Sequence, residues 1–380
     1  MSMTGQNNTN NEHIYDVLVI GMGAAGVGVS LALRSAGIQN FLGLERRRVG
    51  SSFDFWPSEM RFITPSFPTN SIGMLDLNSI AIGVSPAFGL KVEHPSGKQY
   101  ASHLRGVAKH FKLPIREKIE VRDVVQSGGL FYVDTRAGEL VAKHIIWAAG
   151  EFQYPNMTVF PGSENCMHIA LISKYEDLQG DDFIVVGGYE SGVDIAYNLA
   201  RRGKRVRLFD QGFPWDSKTS DPSASLSAYS LERMRSDLFI EYVELFPYTS
   251  VESVNRTDAT YEVIAQDGQR FKTSTQPILA SGFAGSHKLV EHLFEQREDG
   301  FPLLNEHDES TIAPGLFLCG PAVRHGGQVF CFIYKYRQRF AVVAKAIATS
   351  LGLPAEDLET YRSWGMYLDD LSCCGEECVC

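Results

Sequence analysis

The 380-residue sequence predicts an α/β fold of two three-layer units, the first of them discontinuous. Three observations carry this. Residues Ile14 to Ile20 (IYDVLVI) read as a buried strand running into GMGAAG, an apolar helix and a second strand. Residues Phe183 to Val186 run into GGYESG, a helix and another strand in the same order. Apolar strand-like segments then return late in the chain, at PILASGF and GLFLCGP.

In the first unit, Gly21, Gly23 and Gly26 stand at G-x-G-x-x-G spacing. The helix is expected over Ala24 to Ser35, stopping at Gly37. The next strand, Phe41 to Leu44, ends in Glu45, about 19 residues past the last glycine and close to the spacing of a Rossmann-like dinucleotide site. Gly21 permits the tight turn. Gly23 lets the backbone approach a pyrophosphate at the helix N-terminus, and Gly26 brings helix and strand close. Glu45 can accept hydrogen bonds from ribose hydroxyls. Ala24, Ala25 and Arg46 complete the expected contact set.

A loop rich in Phe, Pro and Ser follows, and Tyr100 to Phe111 reads as an amphipathic helix. Short strands are expected around Ile119 to Val125, Leu130 to Thr135 and Leu140 to Val141. The apolar run His144 to Gly150 closes this half, with Ala149 and Gly150 at its end.

The second unit runs from about Phe160 to Lys272. Gly187 and Gly192 hold the first and last glycine positions, but Tyr189 holds the middle one, where a pyrophosphate would approach the backbone. A helix is expected over Val193 to Arg202, and the strand Arg205 to Phe209 ends in Asp210. Asp210 would repel a ribose 2′-phosphate and bind ribose hydroxyls, which favours NADH over NADPH. Arg201, Arg202, Arg205 and Arg207 could offset that repulsion; as a solvated helix end and strand edge they need no ligand. A unit that has kept its fold and lost its ligand is a third alternative. Pro277 to Phe283 reads as the crossing back into the first unit. The expected division is 1–155 and 276–371 for the first domain, 156–275 for the second, and 372–380 for a cysteine-rich tail.

Composition narrows the function. The net charge of −10 argues against a nucleic-acid partner. The polar start MSMTGQNNTNNEH has no secretory apolar region. No apolar run reaches the roughly 18 residues of a membrane span. The expectation is a cytoplasmic protein without membrane contact. Paired carboxylates, metal-spaced histidines and a nucleophile elbow are all missing from the sequence.

The order of motifs from residue 14 to 350 resembles the two-dinucleotide-domain flavoproteins, a group that includes thioredoxin reductases, bacillithiol-disulfide reductases and flavin-containing monooxygenases. WAAGEFQYPN resembles their A-T-G segment, with Ala149 in place of Thr. GLFLCGP resembles the late strand under the flavin, ending in Gly320 and Pro321. Tyr336 to Gln338 resembles an Arg-Gln pair near the flavin, and FWPSEMRFITPS a segment after the ribose acid. The resemblance implies an FAD-dependent oxidoreductase. FAD would lie at the first glycine motif, Glu45, Ala149, Gly150, Gly320, Pro321 and Gln338. NADH or NADPH would lie at Gly187, Gly192 and Asp210, and relatives of this kind are often homodimers. Departures are clear. Between residues 160 and 275 there is only Cys166, so the thioredoxin-reductase CxxC is missing, and Ala25 stands where bacillithiol-disulfide reductases carry a cysteine. Phe160, Gly162, His168 and Tyr175 supply the residue types of a monooxygenase motif at other spacings.

Of seven cysteines, Cys373, Cys374, Cys378 and Cys380 crowd the last eight residues. They are open to three roles: a dithiol shuttle, a soft-metal site, or an inert tail. Asp369, Asp370, Glu376 and Glu377 disfavour the reactive thiolate, and adjacent Cys373 and Cys374 cannot easily share one tetrahedral ion. Cys331, in the aromatic run VFCFIYKY, and His325, in PAVRHGG, are further candidates near the flavin. Arg324 is a candidate to stabilise a reduced flavin by charge, and Cys319 reads as a buried apolar residue. The expected function is electron exchange between flavin and a small-molecule or protein thiol, disulfide or metal-thiol through the tail. A flavin monooxygenase and a non-catalytic metal-binding or redox-sensing protein are the alternatives.

Overall fold

The computed structural model describes residues 13–219 and 221–372, with the backbone alone at 70 and 71. The tail cysteines Cys373, Cys374, Cys378 and Cys380 lie outside the described residues. The Ile14–Ile20 strand is the centre of the first sheet, and its Val17 to Ile20 are buried on both faces, as a covered parallel strand requires. It pairs in parallel with Phe41–Glu45 on one side and Gly138–Trp147 on the other. Ile115–Glu117 extends the sheet beyond Phe41–Glu45.

Gly138–Trp147 is one ten-residue strand, where the pattern suggested the two pieces Leu140–Val141 and His144–Gly150. The interruption was Lys143. It sits at an exposed position of a continuous strand and pairs with Asp16 at 2.8 Å. This long strand serves two partners along its far edge. Its first half pairs antiparallel with Leu130–Thr135, and its second half pairs in parallel with the late strand Leu316–Leu318. The late pairing makes the first unit discontinuous. The helix Gly97–His110 starts earlier than Tyr100 because Ser96 and Gln99 close a capping box. The first helix, Ala24–Ser35, packs on the late helix Phe340–Ser350. A Cβ on Gly28 would lie 2.1 Å from the Phe340 ring, so glycine sets that approach.

The second unit is a parallel five-stranded sheet in the order Val243–Phe246, Arg205–Phe209, Asp182–Val186, Ile278–Leu279, Met167–His168. A three-stranded antiparallel sheet, Val251–Thr257, Thr260–Ala265 and Arg270–Thr273, flanks it. Ile278–Leu279 corrects the reading of PILASGF as the crossing. It is the fourth strand of the second sheet, in parallel register with Val185 and Val186. Its apolar pattern suits either sheet, and partner choice decides. The crossing comes just after it, where the two linkers run side by side. Asn156 N donates to Gly282 O at 3.0 Å, Ala284 N to Tyr154 O at 2.8 Å and Ser286 N to Gly150 O at 2.9 Å. Among the described residues no helix is long and apolar enough to cross a membrane.

Candidate flavin site

The first glycine turn shows three glycines needed for three reasons. Gly21 has φ +93°, and a Cβ there would lie 2.5 Å from Ala149 Cα. Gly26 sits against the turn itself, since its Cβ would lie 1.9 Å from Gly21 O. Gly23 has an ordinary backbone, φ −81° and ψ −159°, and its Cβ would meet nothing within 4 Å. Glycine at 23 therefore serves open space rather than backbone geometry. The Glu45 carboxylate is fixed beside this turn. One oxygen accepts from Met22 N at 2.9 Å, and the other from Arg47 N at 2.9 Å and Ser51 Oγ at 3.3 Å.

A crevice of about 380 Å³ opens here, lined by Gly21, Gly23, Ala24, Ala25, Glu45, Ala149, Gly150, Pro321, Cys331 and Tyr336 among others. A second cavity of about 440 Å³ shares Gly21, Glu45, Ala149 and Gln153 with it, and adds Arg46, Arg122 and Arg136. Gln153 spans the two, accepting from Arg46 and donating to Ser52 Oγ at 2.8 Å. The donor set fits FAD: an unobstructed helix N-terminus, a fixed acid and cavities of ligand size on both sides of the turn. Gly320, with φ +117°, lies against Ala25, to which its Cβ would approach at 3.3 Å.

Two expected residues face elsewhere. Gln338 donates from Nε2 to Tyr334 O at 2.9 Å along its own helical segment, and Tyr336 lines the crevice instead. His325 Nε2 lies 2.5 Å from Asp308 Oδ1 and is not among the residues lining the crevice. Asp308 is fully buried and also takes Arg339, whose Nε lies 3.1 Å from both carboxylate oxygens. A buried carboxylate without hydrogen-bond partners is costly, and that contact holds His325 at Asp308. Arg324 lies over the Phe301 ring at 4.2 Å and donates to the carbonyls of Pro321 and Val323.

Cys331 does line the crevice. Its Sγ donates to Ser223 Oγ at 3.3 Å, and that oxygen also accepts from Lys335 Nζ at 2.7 Å. Lys335 is held by Asp221 at 2.8 Å. Burial pushes the Cys331 thiol above the ordinary range, while the Ser223 bond and the charges of Lys335 and Arg324 pull it down. Cys319 and Cys166 are buried, with thiols pushed up by desolvation, Cys166 to about 12. Neither is a nucleophile at neutral pH.

Several lining residues escaped the sequence reading. Glu190, Ser191 and Asp194 come from the second unit's helix and face the first unit's crevice. Glu151 lies in it too, its carboxyl pushed up by desolvation and drawn down by Arg324. Glu190 and Ser191 lie within GGYESG and Glu151 within WAAGEFQYPN, but the side on which one unit meets the other is a tertiary matter.

The second glycine turn repeats the first. Gly187 has φ +107°, and a Cβ on Gly192 would lie 1.8 Å from Gly187 O. Asp210 Oδ2 accepts from Gly188 N at 2.7 Å, as Glu45 accepts from Met22 N. Trp215 Nε1 donates to Gly188 O at 2.7 Å, as Gly50 N donates to Met22 O at 3.0 Å. Of the neighbouring arginines, Arg202 pairs with Glu59 at 2.8 Å and Arg207 with Asp182 at 2.5 Å.

A family model described as pyridine nucleotide-disulphide oxidoreductase matches residues 18–320. The uncharacterized oxidoreductase CzcO of Bacillus subtilis is 27% identical over 194 residues, 50% of this chain and 52% of that protein, so the chain spans about half its length. Bacilliredoxin reductase Bdr of Bacillus subtilis is 22% identical over 309 residues, 80% of this chain and 88% of that protein. The solved bacillithiol disulfide reductase of Staphylococcus aureus shares the fold, with a TM-score of 0.74 at 19% identity over 89% of this chain and 99% of that one. With a first crevice that fits FAD and a family match over residues 18–320, the chain belongs to the pyridine nucleotide-disulphide oxidoreductase family.

Proposed function

We propose that the chain exchanges electrons between FAD and thiol or disulfide groups of a small molecule or protein, in the cytoplasm. The observation that carries this is the position of Cys331, which lines the same crevice as Gly23 and Ala25. Two relatives named as reductases of bacilliredoxin and of bacillithiol disulfide support the substrate class. FAD, when bound, supplies a carrier that takes up and returns two electrons. Gly21, Gly23 and the N-terminus of the first helix would hold its pyrophosphate, Glu45 its ribose, and Ala149, Gly150, Pro321 and Tyr336 would wall the crevice.

The chain's own residues set the thiol chemistry. Ser223 holds the Cys331 proton, and Lys335 and Arg324 place positive charge where a thiolate would form. Cys373, Cys374, Cys378 and Cys380 are proposed as the external dithiols. Eight extended residues beyond Ser372 reach about 26 Å at about 3.3 Å each. Oxidation of one thiol pair forms one S–S bond and releases two electrons and two protons, and reduction runs the other way.

The test is anaerobic stopped-flow absorbance of the FAD-loaded protein mixed with a dithiol. Wild type should bleach, and the chain lacking residues 372–380 should keep its flavin spectrum and lose turnover. Cys331→Ser should slow bleaching. Truncation that leaves every rate unchanged refutes the relay, and truncation that removes a bound metal ion with no kinetic effect favours a metal site.

A further inference from the structure

We propose that Tyr189 closes the second nucleotide crevice, so that this chain excludes NADH and NADPH from the glycine turn its fold would offer them. The molecule contains its own comparison. Tyr189 (φ −83°, ψ −161°) and Gly23 (φ −81°, ψ −159°) occupy the same place at a helix start with the same backbone. Their Cα–Cβ directions relative to turn and helix are therefore alike. At Gly23 that direction is open for 4 Å. At Tyr189 it carries a phenol ring, half-buried, whose hydroxyl donates to Ser225 O at 2.6 Å. The positive-φ Gly187, the close-packed Gly192 and the anchored Asp210 are kept. The Trp215 indole packs on the other side of the same turn, where a Cβ on Gly188 would lie 2.5 Å from its ring.

The ring is not free to swing aside. Its acceptor belongs to the segment from Asp221 to Ser227, which is tied down on both units. Asp221 and Ser223 bond to Lys335, and Ser223 to Cys331, all at 2.7–3.3 Å. Ser227 N donates to Glu190 Oε1 at 2.5 Å, and Ser230 Oγ donates to Glu190 Oε2 at 2.5 Å. The phenol is thus pinned by a strap that spans the two units. A nucleotide would have to displace ring and strap together, and electrons enter this protein from a donor other than a pyridine nucleotide seated on that turn.

The exclusion stands whether or not thiols are the substrate, and its test is a binding measurement on oxidised, FAD-loaded protein. Isothermal titration with NADH and with NADPH should show no saturation for wild type up to about 1 mM. Tyr189→Gly should bind one of them at least about tenfold tighter. Tyr189→Phe, which keeps the ring and loses the Ser225 bond, should bind more weakly than Tyr189→Gly. Micromolar binding by wild type overturns the proposal. So does a Tyr189→Gly protein that binds no tighter, or a Tyr189→Phe protein that binds as tightly as Tyr189→Gly. If Tyr189→Gly fails to fold, Tyr189→Ser takes its place with the same outcomes, and the wild-type titration still decides on its own. Failure of dithiol bleaching would leave these affinities unmoved, which separates the two proposals.

Discussion

The second and third glycines of GMGAAG should respond to alanine in opposite ways. In Gly26→Ala the new methyl lands 1.9 Å from Gly21 O and 2.9 Å from Gly21 C, both backbone atoms. A normal contact needs roughly 3.5 Å, so helix and turn must part by about 1.5 Å. Overpacking costs about 1–3 kcal/mol, and the rigid neighbours put this site near the upper figure. At about 2–4 °C per kcal/mol for a domain of this size, FAD-free protein should lose about 6–12 °C of Tm. In Gly23→Ala the methyl meets nothing and φ −81° is ordinary. The FAD-free fold should therefore lose at most about 1 kcal/mol, the cost of a poorer helix cap. That methyl faces the crevice, however. FAD affinity should fall by about tenfold or more, so excess FAD should stabilise Gly23→Ala by about 1.4 kcal/mol less than wild type. Thermal melts with and without FAD measure both quantities. Equal losses for the two variants without FAD would refute the reasoning, as would a full FAD-dependent shift in Gly23→Ala.

Asp308→Asn should destabilise by about 3–5 kcal/mol, because Arg339, 1% exposed, would keep a buried charge without its counter-ion. A urea midpoint equal to wild type would contradict this. The Cys331 thiol is pushed up by burial, so it is protonated at neutral pH and its reactive thiolate fraction still rises where ordinary thiols level off. Its alkylation, followed by peptide mass spectrometry, should climb about tenfold per pH unit from about pH 7 to about pH 9; a plateau below about pH 8 would show a depressed pKa instead. His325→Gln should leave the flavin spectrum and dithiol bleaching unchanged while lowering Tm, since His325 serves Asp308. A lost bleaching rate with unchanged Tm would return it to the active site.

Short-range pattern made the first unit legible. The turn glycines, the helix Ala24–Ser35 and the acid Glu45 lie within one strand–helix–strand stretch, where spacing alone decides who meets whom. The doubt over Tyr189 was equally local, since it occupies a position whose backbone is the same in both turns. What lay beyond the sequence depended on partners far along the chain. Ile278–Leu279 is apolar enough for either sheet, and pairing with Val185 and Val186 assigns it to the second. His325 follows the GLFLCGP segment closely, yet a buried Asp308 claims it. Glu190 and Asp194 belong to one unit and line the other's crevice. Periodicity and motif spacing record the contacts of near neighbours. The choice of sheet, of counter-ion and of the face on which two units meet is made by burial and hydrogen bonding between distant segments, and only the folded chain shows it.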